Sequence, residues 1–258
     1  DLDRDQIIER AALAGVSGVL IPAVRAKDFL SVQHLAHHAA SKMPATCYTL
    51  GIHPIYTPEA QESDLDILRA AVLKALDDPR FVGIGEIGLD YFLPELDSHH
   101  QSYFFEAQLD LAQEFNLPVI LHVRSAIDNV LKHLRKQKIR GGIAHAFNGS
   151  RQQAEGFIDL GFKLGFGGSL TYPRALKIRE LVSTLPLEAI VLETDAPDIP
   201  PEWLKNDKRN SPNQLLNISQ IIASLRHINH AQVTEITTNN ALEILPNLSK
   251  LFTRTHVI

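Results

Sequence analysis

Apolar residues along the chain recur in two alternating rhythms. Ile7, Ile8, Ala11 and Ala12 repeat at helical spacing as far as Gly15, which predicts a first helix over 2–14. The apolar run at 16–24 is strand-like, and the alternation then continues. Helical patterns at 27–41, 62–77, 98–115, 126–137, 151–159 and 175–184 separate strand-like runs at 46–53, 82–90, 118–124, 142–147, 162–168 and 190–197. A polar, proline-bearing loop at 198–213 leads into two amphipathic helices, 214–228 and 231–244.

Seven strands, each followed by helical pattern and none joined by a hairpin, predict parallel strands with helical crossovers. The expected fold is α/β: one TIM (β/α)8 barrel domain over 1–258, in preference to a doubly wound open sheet. Such a barrel closes at eight strands. The first helical pattern starts at Asp3 with no strand before it, so the first strand is expected to be missing. It would lie between the strands at 16–24 and 190–197, on about 15–25 further residues upstream in the natural protein.

Composition narrows the function classes. The 258 residues are 45% hydrophobic and 21% charged, enough apolar mass for a sizeable core. A net charge of −5 argues against gripping nucleic acid by bulk electrostatics, so such a substrate would be held locally. Cys47 is the only cysteine, which excludes an intramolecular disulfide and fits a reducing compartment. No apolar run reaches transmembrane length. A cytoplasmic protein is expected.

The stretch 82–91, VGIGEIGLDY, carries Glu86 in the middle of an apolar strand and Asp90 at its end. A carboxylate there is costly unless a cation, a metal or several donors meet it. Glycines at 83, 85 and 88 leave room for another backbone or a ligand to come close. In a barrel the chemistry sits at the carboxyl ends of the strands. Those ends read His53, Glu86 with Asp90, His122, His145, and Asp195 with Glu193. Imidazole and carboxylate on five strands form the ligand set of zinc, manganese or related divalent ions, one or two of them.

Other residues surround that set. Arg124, two past His122, faces the same side and could pair Glu86 or meet an anion. Gly165, Gly167, Gly168 and Ser169 make a glycine-rich turn suited to phosphate, and Tyr172, Arg174 and Lys177 could complete an anion site. Arg209 and Asn210 in the loop after Asp195 are further candidates. His34 and His38, four apart on a helix outside the barrel, read as a surface face, and His99 and His100 as solvated. His133, His227, His230 and His256 receive no role.

The ordered motifs GIHP, GIGEIGLDY, LPVILHVR, AHAFNGS and ETDAP together resemble the TatD family of metal-dependent deoxyribonucleases, and GGSLTYPRA looks most like its YjjV branch. The resemblance runs over essentially the whole chain, including TTNNALEIL near the end. It implies a barrel of the amidohydrolase type. It implies Glu86, His122, His145 and Asp195 as metal ligands, and His53 as a further active-site residue. The family's first strand carries His-x-His, which is absent here; Val123 and His100 also depart from its pattern.

The expected activity is metal-assisted hydrolysis of phosphodiesters, as an exonuclease on DNA. Asp195 would take the proton of the attacking water and His53 would orient the substrate or steady the leaving oxygen, with Ser169, Arg174 and Arg209 binding the substrate. Spacing alone supports metal-dependent hydrolysis; the resemblance supplies DNA. The alternatives are a C–N or carboxyl-ester hydrolase on the same metals, or a metal-binding barrel without turnover.

Overall fold

The computed structural model describes residues 3–206 and 209–253. Seven strands form one sheet in sequence order, each parallel to its neighbours: β1 (Leu20–Pro22), β2 (Cys47–Leu50), β3 (Phe81–Asp90), β4 (Val119–Arg124), β5 (Gly142–Ala144), β6 (Phe162–Phe166) and β7 (Ile190–Leu192). Around them run α1 (Arg4–Leu13), α2 (Phe29–Ala39), α3 (Glu62–Ala75), α4 (Ser98–Glu114), α5 (Ile127–Leu134), α6 (Arg151–Asp159), α7 (Leu176–Thr184), α8 (Leu215–Arg226), α9 (His230–Ile244) and α10 (Pro246–Thr253). The expected alternation is present at every strand. Residue 2 of the expected first helix, and His256, lie outside the described residues.

The sheet curls, because residues from strands far apart in the order meet on its inner face. Leu20, Cys47, Val82, Ile120, Ile143 and Val191 pack in one cluster with Ile244, Leu245, Leu248 and Leu251 of the α9–α10 segment. That segment floors the amino ends of the strands. β1 and β7 are the edges and do not pair; among the described residues no strand lies between them. The alternate residues, such as Tyr48, Leu50, Phe81, Leu121, Leu164 and Ile190, face outward and join the larger core under the helices.

Alternation along each strand carries the inner face upward to the site. Two residues beyond Ile120 stands His122, two beyond Ile143 stands His145, and two beyond Val191 stands Glu193. From Cys47 the same parity runs to His53. Several ladders are shorter than their apolar runs predict, notably β1, β5 and β7. At the carboxyl ends the chain leaves the ladder early: Ala146 (φ 46°) and Asp195 (φ 57°) adopt left-handed backbone directly at the functional positions. The sequence reading ends at the helix over 231–244 and does not include α10, which Pro246 opens.

Candidate metal centre

Glu86 is the hub. Its N–H donates to the Ala23 carbonyl at 2.9 Å, and the β3–β4 register shifts between Ile84 and Ile87, so Glu86 stands out of the ladder. Its Oε1 meets three imidazoles: His53 Nε2 at 3.1 Å, His122 Nδ1 at 3.2 Å and His145 Nε2 at 2.8 Å. Ligand atoms of His53, Glu86 and His122 all lie within 4.8 Å of one another. Asp195 Oδ1 is 3.9 Å from His145 Nδ1. The His122 and His145 imidazoles and the Glu86 and Asp195 carboxylates, from separate strands, fit a divalent cation by donor type and by number.

Burial and mutual charge decide the protonation of this group. Burial works against the Glu86 charge, yet His145, His122 and His53 together outweigh it and hold its carboxyl well below the usual range. Burial also disfavours charge on His145, but Glu86, Glu193 and Asp195 overcome it and raise the ring to about 10. His122 is raised as well: burial opposes its charge, and Asp90 and Glu86 prevail. His53 is lowered, chiefly by burial, so it is neutral at pH 7. Burial raises Asp195, and it lifts Glu193 to about 7.

His53 differs from the other two imidazoles in its second nitrogen. The Ile55 N–H donates to His53 Nδ1 at 3.1 Å, so the neutral ring carries its proton on Nε2, facing Glu86. A protonated Nε2 is a donor and cannot ligate. His122 is held from behind instead: its Nε2 lies 3.1 Å from Asp90 Oδ2, the carboxylate–imidazole arrangement that fixes the orientation of a metal-binding ring.

Two residues that the sequence left unread, Gln101 and Gln108, hold these parts in place. Gln108 of α4 brackets Ile52, accepting from its N–H at 2.7 Å and donating to its carbonyl at 3.1 Å, next to His53. Gln101, one stripe earlier, does the same to Asp90 at 2.8 and 2.9 Å. Their spacing of seven, two helical turns on one face, is the signal that could have found them. Glu193 accepts from the Ala146 N–H at 2.7 Å. Gly165 and Gly167 face it, and a side chain at either position would strike the Glu193 carboxylate or its carbonyl. The glycine-rich turn thus makes room for Glu193, and at Gly168 for the Ile199 carbonyl. Gly83, Gly85 and Gly88 likewise make room for the 118–122 backbone and Ile120, as close approach of a neighbouring chain requires.

The remaining candidates fall as follows. Ser169, Tyr172, Arg174 and Lys177 line an open groove of about 520 Å³ together with Asn148. The Tyr172 hydroxyl donates to the Pro200 carbonyl at 3.1 Å and Lys177 to the Asn148 carbonyl at 3.0 Å. Arg209 is engaged elsewhere, donating to both Asp3 carboxylate oxygens at 2.8 and 3.1 Å. Asn210 is buried and braces the loop, donating to the carbonyls of Thr194, Asp198 and Ile199. Arg124 does not reach Glu86. Its guanidinium lies 4.0 Å from Asp90 and 3.8 Å over the Phe92 ring. His100, expected in solvent, is half-buried with Nε2 3.1 Å from the Thr57 carbonyl. His38 pairs with Asp5 on the surface, as expected of that face.

Comparison with known proteins gives the family. The family profile described as TatD related DNase matches residues 1–246. An uncharacterized metal-dependent hydrolase, YjjV, of Escherichia coli K12 is 36% identical over 239 residues, covering 92% of this chain and 90% of that protein. A 3′-5′ ssDNA/RNA exonuclease TatD of Erwinia billingiae is 36% identical over 232 residues, 87% of this chain and 85% of its own. The crystal structure of the E. coli YjjV protein superposes with a TM-score of 0.89 at 35% identity, over 95% of this chain and 92% of that one. A lactonase of Deinococcus radiodurans at 13% identity and a TM-score of 0.65 shares the fold alone. Profile, relatives and fold agree over nearly the full length: the chain belongs to the TatD related DNase family and is a metal-dependent hydrolase.

Proposed function

We propose that this protein is an exonuclease that hydrolyses phosphodiester bonds at the end of a DNA strand, with one or two zinc, manganese or magnesium ions. The observation that carries the reading is the convergence of three imidazoles on Glu86 Oε1 with Asp195 beside His145. Relatives named as 3′-5′ ssDNA/RNA exonucleases support the choice of nucleic acid. A cytoplasmic setting agrees with a single, buried thiol at Cys47.

Glu86, His122, His145 and Asp195 hold the metal in this reading. The metal supplies Lewis acidity, acidifying water and neutralising charge on the phosphoryl oxygens. Asp195, a third exposed and with its affinity for protons raised by burial, accepts the proton of the attacking water. His53 orients the substrate or steadies the leaving oxygen by exchanging Glu86 for that oxygen as the acceptor of its Nε2 proton. Ser169 and Arg174 bind backbone phosphates along the open groove. Arg209 enters only by exchanging Asp3 for phosphate.

The test is to strip the full-length protein of metal, reload it with single divalent ions, and incubate it with end-labelled single-stranded DNA. A ladder shortening from one end is expected. Turnover of carboxyl esters or amides with intact DNA would select the amidohydrolase-type alternative.

A further inference from the structure

Outside the ligand set, the most exposed aromatic side chain beside the metal centre belongs to Phe92, just past β3. It is 57% exposed, alone among the phenylalanines whose side chains are described. Yet its position is fixed. The Phe92 N–H donates to Asp90 Oδ1 at 3.0 Å, and the other oxygen of Asp90 is the one that orients His122. The Arg124 guanidinium covers one face of the ring at 3.8 Å from its centroid and is itself half exposed. Arg124 sits opposite Asp90 in the β3–β4 ladder, so the pair is anchored from two strands. With one face under the guanidinium, the exposed area is the other face and the outer edge of the ring.

A single exposed apolar residue is ordinary on a protein surface. This one is backed by a cation and joined through one carboxylate to the His122 imidazole. A flat apolar face beside positive charge is what an unpaired nucleobase and its phosphate require. Tyr56 and Arg25, on the loops after β2 and β1, form a similar pair at 4.5 Å, but there Arg25 is tied to Asp28 at 2.8 Å and Tyr56 is half-buried, so that pair is closed.

We infer that the open face of Phe92, held by Arg124, is a stacking platform for the nucleobase next to the scissile phosphodiester. The inference rests on the nucleic-acid reading above and adds what that reading lacks: a reason for preferring unpaired strands. A paired base is already stacked on its neighbours and has no face to offer. Only the Phe92 backbone meets Asp90, and its ring meets Arg124 and the base, so the side chain sets affinity and strand preference rather than proton transfer.

The experiment separates the platform from the chemistry. Full-length protein is mixed with an abasic single-stranded hexamer carrying one thymine, placed at each position in turn, and affinity is measured in calcium to suppress turnover. The parent should bind one placement about tenfold tighter than the fully abasic strand, the range expected for one base on one aromatic ring. Phe92→Ala should lose that preference and Phe92→Trp should keep it. No preferred placement in the parent, or an equal preference in Phe92→Ala, overturns the platform. Hydrolysis of the thymine strand in manganese is scored separately. A Phe92-dependent preference without hydrolysis keeps the platform and removes the nuclease reading. Hydrolysis without the preference does the reverse.

Discussion

Gly165 and Glu193 stand so close that a side chain on the glycine would collide with the carboxylate, and a methyl group there would also lie 3.1 Å from the His145 Cα. β6 and β7 lie side by side at the metal centre only because position 165 carries hydrogen. Gly165→Ala is therefore expected to cost about 1–3 kcal/mol by overpacking and to weaken metal binding through His145. Urea unfolding and a metal titration check it. A variant with the parent's midpoint and affinity means that Glu193 has room to move.

Metal binding should release protons. His145 is raised to about 10 and so is charged at pH 7, and a charged ring must lose its proton before it can ligate. Calorimetry at pH 7 in two buffers of different ionisation enthalpy should show release of about one proton per ion from this ring. Heats that do not depend on the buffer would show that metal meets a neutral His145.

Asp195→Asn keeps the shape of the side chain and removes its charge and basicity. Turnover is expected to fall by about two to four orders of magnitude, with the far-ultraviolet spectrum unchanged. A folded variant within a few-fold of the parent makes Asp195 a structural residue.

Acid stability should depend on Asp78, far from the chemistry. Burial opposes its charge, but His37, the Arg80 N–H, Gln33 and Tyr48 outweigh this and bring it down to about 2 from 3.8. Because the folded value is the lower one, the stabilisation is present above about pH 4 and is lost as pH falls toward 2. The shift corresponds to about 2 kcal/mol. Asp78→Asn should lower stability at pH 7 and flatten its decline below pH 4. Parallel curves for parent and variant would refute this.

Arg174→Ala should raise KM for DNA and reduce the salt dependence of binding, with metal content unchanged, because one phosphate contact is lost. Equal affinities at several salt concentrations would return Arg174 to the solvent.

The strand order and the cluster of charged strand ends were legible for one physical reason: charge in an apolar strand is conspicuous. Glu86, His122, His145 and Asp195 each interrupt or end an apolar run, and the period of two carries them inward. Packing was not legible. The glycines at 165 and 167 invite a phosphate reading until Glu193 is seen against them. Gln101 and Gln108 look like solvated helix residues until each is found bracketing a strand end. Arg124, read as a partner for Glu86 or for an anion, lies on Phe92 rather than on Glu86, because the histidines already surround Glu86.

The proposed ligands hang from separate strands in sequence order, from Glu86 on β3 to Asp195 just past β7. No two of them are neighbours along the chain, so no short piece of it can hold the ion. During synthesis the centre stays incomplete until position 195 has left the ribosome and β7 has docked on β6. Metal uptake is thus a late event that reports a finished sheet, and a chain that stalls before β7 should emerge with the cation unclaimed.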